Sequence, residues 1–218
     1  MLLAGNNQFQ SLSRGAFSSM ARLHCSRCRR PSTHCLCALI PQLASRTRVV
    51  VLQHPHEAAH ALNTARLAVL GLSNSELHCA ERFSSLPGLL EDPNYCSCLL
   101  FPGADAIPVG EFAGRHADLP LRLLVPDGTW RKARKLLYLN PALAALPRVT
   151  LRVSGTSRYR LRKAPAPGAL STLEAIVRAL EEVEGGGERF AALLAPFEAL
   201  IEAQIAAMGS ETYRRNHL

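Results

Sequence analysis

The sequence predicts an α/β fold: a mainly parallel sheet with flanking helices. Continuous aliphatic runs of strand length alternate with segments whose apolar residues recur at helical spacing. This alternation is typical of parallel strands joined by helices. Three predicted strands end in polar turns, which read QHPH, LFPGADA and VPDGTW. Because ligands bind beyond the carboxyl ends of strands in such sheets, we expect the three turns to form one pocket.

A cluster of cysteines precedes the first predicted strand. Its pattern, C-x2-C-x6-C-x-C, consists of Cys25, Cys28, Cys35 and Cys37. Two closely spaced pairs can direct four thiolates at one tetrahedral ion, which predicts a structural zinc site with no open position for catalysis. Disulfides are disfavoured because nothing indicates secretion. An iron–sulfur cluster, or His24 or His34 as substitute ligands, are the alternatives.

The elements after the cysteines follow from local patterns. RVVVLQHP predicts a buried strand at residues 48–55 that ends in a polar turn. Residues 57–71 have helically spaced apolar residues and end at a glycine, as helices often do. Residues 79–86 hold a short strand or a loop, and CSCLLFPG predicts a second buried strand at residues 96–103.

The next segment begins with LRLLVPDG, which predicts a third strand at residues 121–128. A basic helix is predicted at residues 129–139. RVTLRV alternates polar and apolar residues, so it predicts a strand at residues 148–153.

The C-terminal part begins with an irregular loop at residues 154–169. A helix is predicted at residues 171–185, because Ser171 or Thr172 can cap it and Glu174 lies in its first turn. A glycine run ends this helix, and a final helix is predicted at residues 189–207.

The charge is unevenly distributed along a chain whose net charge is +8. Between residues 122 and 163, eleven cations accompany a single acid, Asp127. Such self-repulsion favours a phosphate-rich partner, and a nucleic acid is the expected one. A merely solvated basic surface is the alternative.

Several classes of protein are disfavoured. The length of 218 residues suits one medium domain with a small attachment. None of the apolar runs approaches the roughly 18 to 20 residues of a membrane span, and the N-terminal segment lacks the apolar core of a signal peptide. Neither GxGxxG nor a Walker loop is present, which disfavours an ordinary dinucleotide or nucleoside triphosphate site. We therefore expect a cytoplasmic protein that does not bind membranes.

Five segments together resemble the DTW-domain family of tRNA-uridine aminocarboxypropyltransferases, which is related to the SPOUT group. They are the cysteine cluster, HPHEAAHALNTARL, LLFPGADA, LLVPDGTWRKARKLL and SRYRLRKAPAPGALSTLEA. The Asp-x-Thr-Trp turn of the family corresponds to Asp127, Gly128, Thr129 and Trp130. The resemblance spans about residues 22–205.

This resemblance implies a SPOUT-like domain with a C-terminal trefoil knot that binds S-adenosylmethionine. It also implies transfer of the 3-amino-3-carboxypropyl group to N3 of a tRNA uridine, with 5′-methylthioadenosine as the second product. We expect a disordered extension at residues 1–21, a zinc knuckle at residues 22–45 and the catalytic domain at residues 46–210.

The expected catalytic residues are Asp127, Thr129 and Trp130. The sulfonium is already an activated leaving group, so the enzyme must mainly align the uridine and accept its N3 proton. Asp127 can act as this base, orient the amino group of the cofactor, or cap the following helix. Thr129 can bind the cofactor or cap the helix, and Trp130 can stack on uridine, line the cofactor pocket or belong to the core.

The residues expected to contact S-adenosylmethionine lie at strand ends and at one helix start: His54, Pro55, Phe101, Pro102, Gly103, Gly128, Ser171 and Thr172. Structural roles are open alternatives: capping for the serine and threonine, packing for residues 101–103, and a structural or tRNA-contacting role for the histidine. The residues expected to face tRNA are basic or aromatic: Arg131, Lys132, Arg134, Lys135, Arg158, Tyr159, Arg160 and Arg162.

Two other functions fit the same features. One is a methyltransferase that acts on RNA with S-adenosylmethionine, and the other is an RNA-binding protein with a zinc knuckle and no catalysis. The oligomeric state is open, with a monomer favoured.

Overall fold

The computed structural model describes residues 23–60, 62–152, 157, 170–185 and 187–217. The predicted extension at residues 1–21 lies outside them. So do the predicted RNA-facing residues Arg158, Tyr159, Arg160 and Arg162. The C-terminal trefoil knot that the resemblance implies stays a prediction.

The strands form one sheet of six in the order β2-β1-β5-β3-β6-β4, and neighbouring strands are parallel. The strands are β1 Arg48–Gln53, β2 Ser75–Cys79, β3 Cys96–Leu100, β4 Ile107–Pro108, β5 Leu121–Asp127 and β6 Arg148–Thr150. The predicted parallel α/β sheet is therefore confirmed.

Helices connect and cover these strands. They are α1 Pro55–Ala58, α2 Ala65–Gly71, α3 Leu86–Leu90, α4 Val109–Arg115, α5 Trp130–Leu139, α6 Pro141–Ala144, α7 Thr172–Glu184, α8 Leu194–Met208 and α9 Ser210–His217. Short 3-10 turns lie at Ser32–His34, Cys37–Leu39 and Glu188–Leu193.

The helix predicted at residues 57–71 is wrong as a single helix, because α1 and α2 divide it. Asn63 lies between the two, where its Nδ2 donates to the carbonyl of Glu57 at 3.0 Å. Its Oδ1 accepts from the amide of Arg66 at 3.3 Å. Side-chain bonds of this kind compete with helical backbone bonds, so the chain turns here before α2 begins.

Some elements were not expected from the sequence. β2 is an edge strand whose residues are only half-buried, so it lacks the aliphatic run that marks β1. β4 is only two residues long, and α4 contains Gly110 and Gly114, which weaken a helical pattern. The strand predicted at residues 148–153 ends at Thr150.

The sheet separates two apolar clusters. Val49, Val51 and Leu123 face the side covered by α7 and α8, while Val50 and Leu124 face the side covered by α5. Strand residues alternate between the two faces, so a side chain's position in β1 or β5 decides which layer it contacts. The same alternation continues to the carboxyl ends of these strands, where the candidate site lies.

One stretch of the described residues, Glu188–Met208, is long and apolar enough to cross a membrane by length and composition. By that measure the expectation that no apolar run approaches the length of a membrane span is wrong. Glu198 and Glu202 divide the stretch into shorter uninterrupted apolar runs, which is why the sequence did not reveal it. Phe190, Phe197 and Ile201 are almost completely buried in the cluster that contains Val49. These three residues pack within the domain, and 39% of the apolar window is buried.

Candidate functional site

The buried carboxylate of Asp127 lies where β1, β5 and α7 meet. Gln53 and Asp127 are paired neighbours at the carboxyl ends of β1 and β5. Gln53 Nε2 donates to Asp127 Oδ2 at 2.8 Å, and Thr172 Oγ1, from the first turn of α7, donates to Oδ1 at 2.5 Å. The carboxylate is therefore held by donors from two other elements, and each of its oxygens accepts a hydrogen bond.

Gln53 is a site residue that sequence reasoning missed. Its side chain is fully buried, and its Oε1 has no hydrogen-bond partner among the described residues. The QHPH turn was singled out in the sequence, yet only His54 and Pro55 were selected from it. The signal that could have identified Gln53 is a polar side chain as the last residue of an otherwise aliphatic strand.

The turn after β5 positions the start of α5. Thr129 is the N-cap residue of α5, and its Oγ1 accepts from the amide of Lys132 at 3.4 Å. Of the three roles open to Asp127, the capping role therefore falls to Thr129 instead. Gly128 has φ of +157°, and a Cβ there would lie 3.0 Å from Cβ of Lys132, so a larger residue would disturb this turn.

His54 has a structural role in this arrangement. It caps α1, where its Nδ1 accepts from the amide of His56 at 3.3 Å and Pro55 occupies the first turn. Its Nε2 lies 3.0 Å from Glu81 Oε1. Because Nδ1 accepts, the N–H group of the ring is at Nε2, and it donates a hydrogen bond to Glu81 Oε1.

Ser171 is engaged as the N-cap of α7. Its Oγ accepts from the amide of Glu174, and the Glu174 carboxylate accepts from the Ser171 amide at 2.9 Å, which completes a capping box. Glu174 is itself buried, and its two carboxylate oxygens share one bifurcated hydrogen bond from the Ser157 hydroxyl. The predicted cap is confirmed as Ser171, and this leaves the Thr172 hydroxyl available to Asp127.

An aromatic cavity of about 360 Å³ lies on the α5 side of the same sheet edge. Its lining consists of Phe101, Pro102, Trp130, Arg134, Leu137 and Arg148. Trp130 stands edge-to-face against Phe101, with ring centroids 5.7 Å apart, and is 43% exposed. Trp130 is therefore not a core residue, and its ring is accessible to a ligand.

Arg148 closes one side of this aromatic cavity. Its guanidinium lies 5.9 Å from the ring centroid of Phe101. A Cβ on Gly103 would lie 2.8 Å from Cδ of Arg148, so the glycine makes room for this arginine. Gly103, in the Pro-Gly turn after β3, thus allows the Arg148 side chain to approach closely.

The cations of α5 divide into Lys132 and Lys135, which form ion pairs, and Arg131 and Arg134, which form none within the described part of the chain. Arg131, Arg134, Lys135 and Tyr138 are exposed and lie at positions i, i+3, i+4 and i+7 of one helical face. Lys132 instead pairs with Glu57 through Nζ–Oε1 at 2.6 Å, and Lys135 pairs with Glu81 at 2.8 Å.

The charge count made from the sequence overstated the unpaired cations. Arg122 is fully buried, and its Nη2 lies 3.0 Å from Asp92 Oδ2. Asp92, Glu57 and Glu81 all lie outside residues 122–163, so the fold supplies acids that a count along the chain omits. The exposed face of α5 keeps its positive character through Arg131 and Arg134, which form no ion pair within the described part of the chain.

The four predicted metal ligands converge. Cys25, Cys28, Cys35 and Cys37 place their sulfur atoms within 4.8 Å of one another. The Sγ–Sγ distance is 3.6 Å for Cys25 and Cys37 and 3.8 Å for Cys28 and Cys35. Sulfurs bound at about 2.3 Å to one tetrahedral zinc ion would lie about 3.8 Å apart, so this cluster fits a metal.

The pKa values of two of these thiols are shifted in opposite directions. Backbone amides of Cys28 and Arg27 lower the pKa of Cys25 to about 6. Burial and the neighbouring thiols raise the pKa of Cys37 to about 12. Four thiolates this close require a positive ion to be deprotonated together.

A larger cavity, of about 700 Å³, lies at the opposite edge of the sheet. Thr47 and Leu121, at the amino ends of β1 and β5, line it together with Glu184 at the end of α7. It is separated from Asp127 by the length of the strands and does not belong to the candidate site.

Comparison with known proteins gives consistent matches. A family model described as the DTW domain matches residues 22–205. A Drosophila melanogaster protein named tRNA-uridine aminocarboxypropyltransferase 2 is 33% identical over 194 residues, which cover 84% of this chain and 76% of that protein. A Macaca fascicularis protein of the same name is 31% identical over 208 residues, which cover 90% of this chain and 68% of that protein.

A plant protein gives a similar match. An Arabidopsis thaliana protein named tRNA-uridine aminocarboxypropyltransferase A is 32% identical over 194 residues, which cover 75% of this chain and 74% of that protein. No solved structure matches the chain significantly.

Proposed function

Because the chain belongs to the DTW-domain family, we propose that it modifies a uridine of tRNA with the 3-amino-3-carboxypropyl group of S-adenosylmethionine. The names of the relatives from fly, macaque and Arabidopsis support this reaction. The observation that carries the proposal is the buried carboxylate of Asp127, held by Gln53 and Thr172 at the carboxyl edge of a parallel sheet.

In the proposed reaction, a bond forms between N3 of uridine and Cγ of the transferred group. The bond between that Cγ and the sulfonium sulfur breaks, and its electron pair stays on the sulfur of 5′-methylthioadenosine. The N3 proton passes to a base and then to water. Asp127 suits this step because a positioned carboxylate accepts the proton as the weakly nucleophilic imide reacts.

Gln53 and Thr172 would act as positioning residues. Each donates a hydrogen bond to one oxygen of Asp127. A carboxylate fixed in this way keeps one direction toward the reacting atoms, which lowers the entropic cost of alignment. The alternative role of Asp127, orienting the amino group of the cofactor, would use the same fixed oxygens.

S-adenosylmethionine is proposed to bind beside Pro55, Gly128 and the first turn of α7. The free amides at the start of a 13-residue helix suit its carboxylate. His54 and Ser171 would shape the pocket, because their polar side-chain atoms already serve the caps of α1 and α7.

Zinc is proposed as the ion of the cysteine cluster. When bound by four thiolates, zinc supplies a structural crosslink and takes no part in the transfer. The SPOUT-like knot, the cytoplasmic location and the monomeric state stay predictions from the sequence.

The decisive experiment is mass spectrometry of unmodified tRNA incubated with the purified protein and S-adenosylmethionine. We expect one aminocarboxypropyl group on uridine and release of 5′-methylthioadenosine. Asp127→Asn should reduce the rate at least about 100-fold, the usual contribution of a positioned proton acceptor. Asp118→Asn is the matched control, because Asp118 is exposed beside the amino end of β5.

Other outcomes would replace the proposal. Release of S-adenosylhomocysteine with methylated tRNA would identify a methyltransferase. Tight tRNA binding that is indifferent to S-adenosylmethionine and to Asp127→Asn, without product, would identify an RNA-binding protein.

A further inference from the structure

The aromatic cavity and the Asp127 carboxylate lie on opposite faces of one sheet edge. Phe101 and Leu137 belong to the apolar cluster under α5. Asp127 continues the alternation of Leu123 and Val125, which face the cluster under α7. A molecule bound in the aromatic cavity would therefore adjoin the catalytic carboxylate without occupying its place.

The charge of the aromatic cavity selects between the two substrates of the proposed reaction. Its lining includes the guanidinium groups of Arg134 and Arg148 and no acidic residue. S-adenosylmethionine carries a sulfonium and an ammonium against one carboxylate, so two arginines repel it. An RNA phosphate is attracted by the same pair and can accept bidentate hydrogen bonds from either arginine.

The rings of the aromatic cavity suit a base. Trp130 is 43% exposed although it contacts Phe101, so part of its indole surface is available. Stacking of a base on an aromatic ring contributes about 1–3 kcal/mol and tolerates any base. Arg148, placed over Phe101, brings a cation next to the position of a stacked base.

We propose that this cavity binds a tRNA nucleotide adjacent to the modified uridine, with its base against Trp130 and its phosphate on Arg134 and Arg148. This inference rests on the proposed transferase function. It replaces the expectation that Phe101, Pro102 and Gly103 contact S-adenosylmethionine. The uridine approaches Asp127 on the α7 face of the sheet, while the neighbouring nucleotide is held on the α5 face. This separation breaks the stacking between the two bases.

Trp130 itself provides the measurement, because it is the only tryptophan of the sequence. The probe is the trinucleotide UUU, titrated against the intact protein while Trp130 fluorescence is recorded. The matched probe is UUU with uncharged methylphosphonate linkages, which has the same bases and no backbone charge. We expect saturable quenching by UUU, weakened by salt, and binding of the uncharged probe at least about tenfold weaker.

Variants locate the effect in the cavity. Arg134→Gln and Arg148→Gln should each weaken UUU binding about tenfold and raise the KM for tRNA, with binding of S-adenosylmethionine in calorimetry unchanged. Arg46→Gln removes the same charge at the opposite edge of the sheet and should leave UUU binding unchanged. If Arg148→Gln does not fold, Arg134→Gln decides the matter, because its side chain is exposed.

Three results would overturn the inference. Quenching by S-adenosylmethionine but not by UUU would assign the cavity to the cofactor. Equal binding of the charged and uncharged trinucleotides would remove the role of the arginines. Absence of quenching by both ligands would show that neither contacts Trp130. None of these results depends on turnover, so failure of the transferase reaction would be recognised separately.

Discussion

At the scale of single residues, Asp127 is held by Gln53 and Thr172, which belong to two other elements. Thr172 and Gln53 lie 45 and 74 positions away in the sequence, and each donates to one carboxylate oxygen. The sequence could mark Asp127 and Thr172 as candidates from their motifs. It could not pair them, since the bond depends on how α7 returns to β5.

Thr172→Val tests this hydrogen bond with almost no change of shape. We expect kcat to fall about tenfold, because loss of one hydrogen bond to a charged group amounts to roughly 1.5 kcal/mol. The KM for tRNA should stay unchanged. Thr172→Ser, which restores the hydroxyl, should recover most of the loss. Equal kcat for the valine variant and the wild type, measured with saturating substrates, would remove the positioning role of Thr172.

At the scale of elements, Glu81 ties α5 to the end of the first strand. It accepts from Lys135 of α5 at 2.8 Å and lies 3.0 Å from Nε2 of His54. The hydrogen bond from Lys135 is the largest cause that lowers the pKa of Glu81 from its ordinary value of 4.5. The basic helix is thus held in place by an acid from the segment after β2.

Glu81→Gln should change how the free energy of unfolding depends on pH, because the variant lacks the ionised carboxylate. A lowered pKa in the folded state means that ionised Glu81 stabilises the fold above pH 4.5 and loses this effect as the pH falls through its folded-state pKa. The difference in free energy of unfolding between wild type and variant should therefore be constant near neutral pH and shrink below pH 4.5. Urea titrations at a series of pH values measure it, and a difference independent of pH would contradict the contribution of Glu81.

Elements with a strong local signal were predictable, and the others were not. β1, β3 and β5 are central strands, so their continuous aliphatic runs mark them in the sequence. β2 lies at an edge with half-buried residues, and β4 has only two residues. Such short or exposed strands are specified by pairing with neighbours, which no window along the chain contains.

At the scale of the whole molecule, the cysteine knuckle and the sheet share one core. Cys28, Leu36 and Ile40 are buried in the same cluster as Val49 and Leu123. Arg30 Nη2 also donates to the carbonyl of Asn63 at 2.9 Å, ahead of α2. Loss of a metal bound by the four cysteines should therefore lower the stability of the whole domain.

Cys28→Ser should remove the metal and lower the free energy of unfolding by about 2–4 kcal/mol, because ligand loss disorders a segment that packs on the core. Elemental analysis by mass spectrometry should find one zinc per chain in the wild type and none in the variant. Cys79→Ser is the control, because Cys79 is exposed at the end of β2 and lies outside the cluster. Equal zinc content in the two variants would refute the site.

The hydrogen bonds from Gln53 and Thr172 to Asp127 also bear on when the chain becomes catalytically competent. β1 and β5 can pair before the C-terminal third of the chain takes part, but Thr172 reaches the carboxylate only after α7 has docked. The carboxylate therefore gains its second donor only when the segment that contains α7 is present and docked. A nascent chain should accordingly stay inactive until residue 172 has left the ribosome.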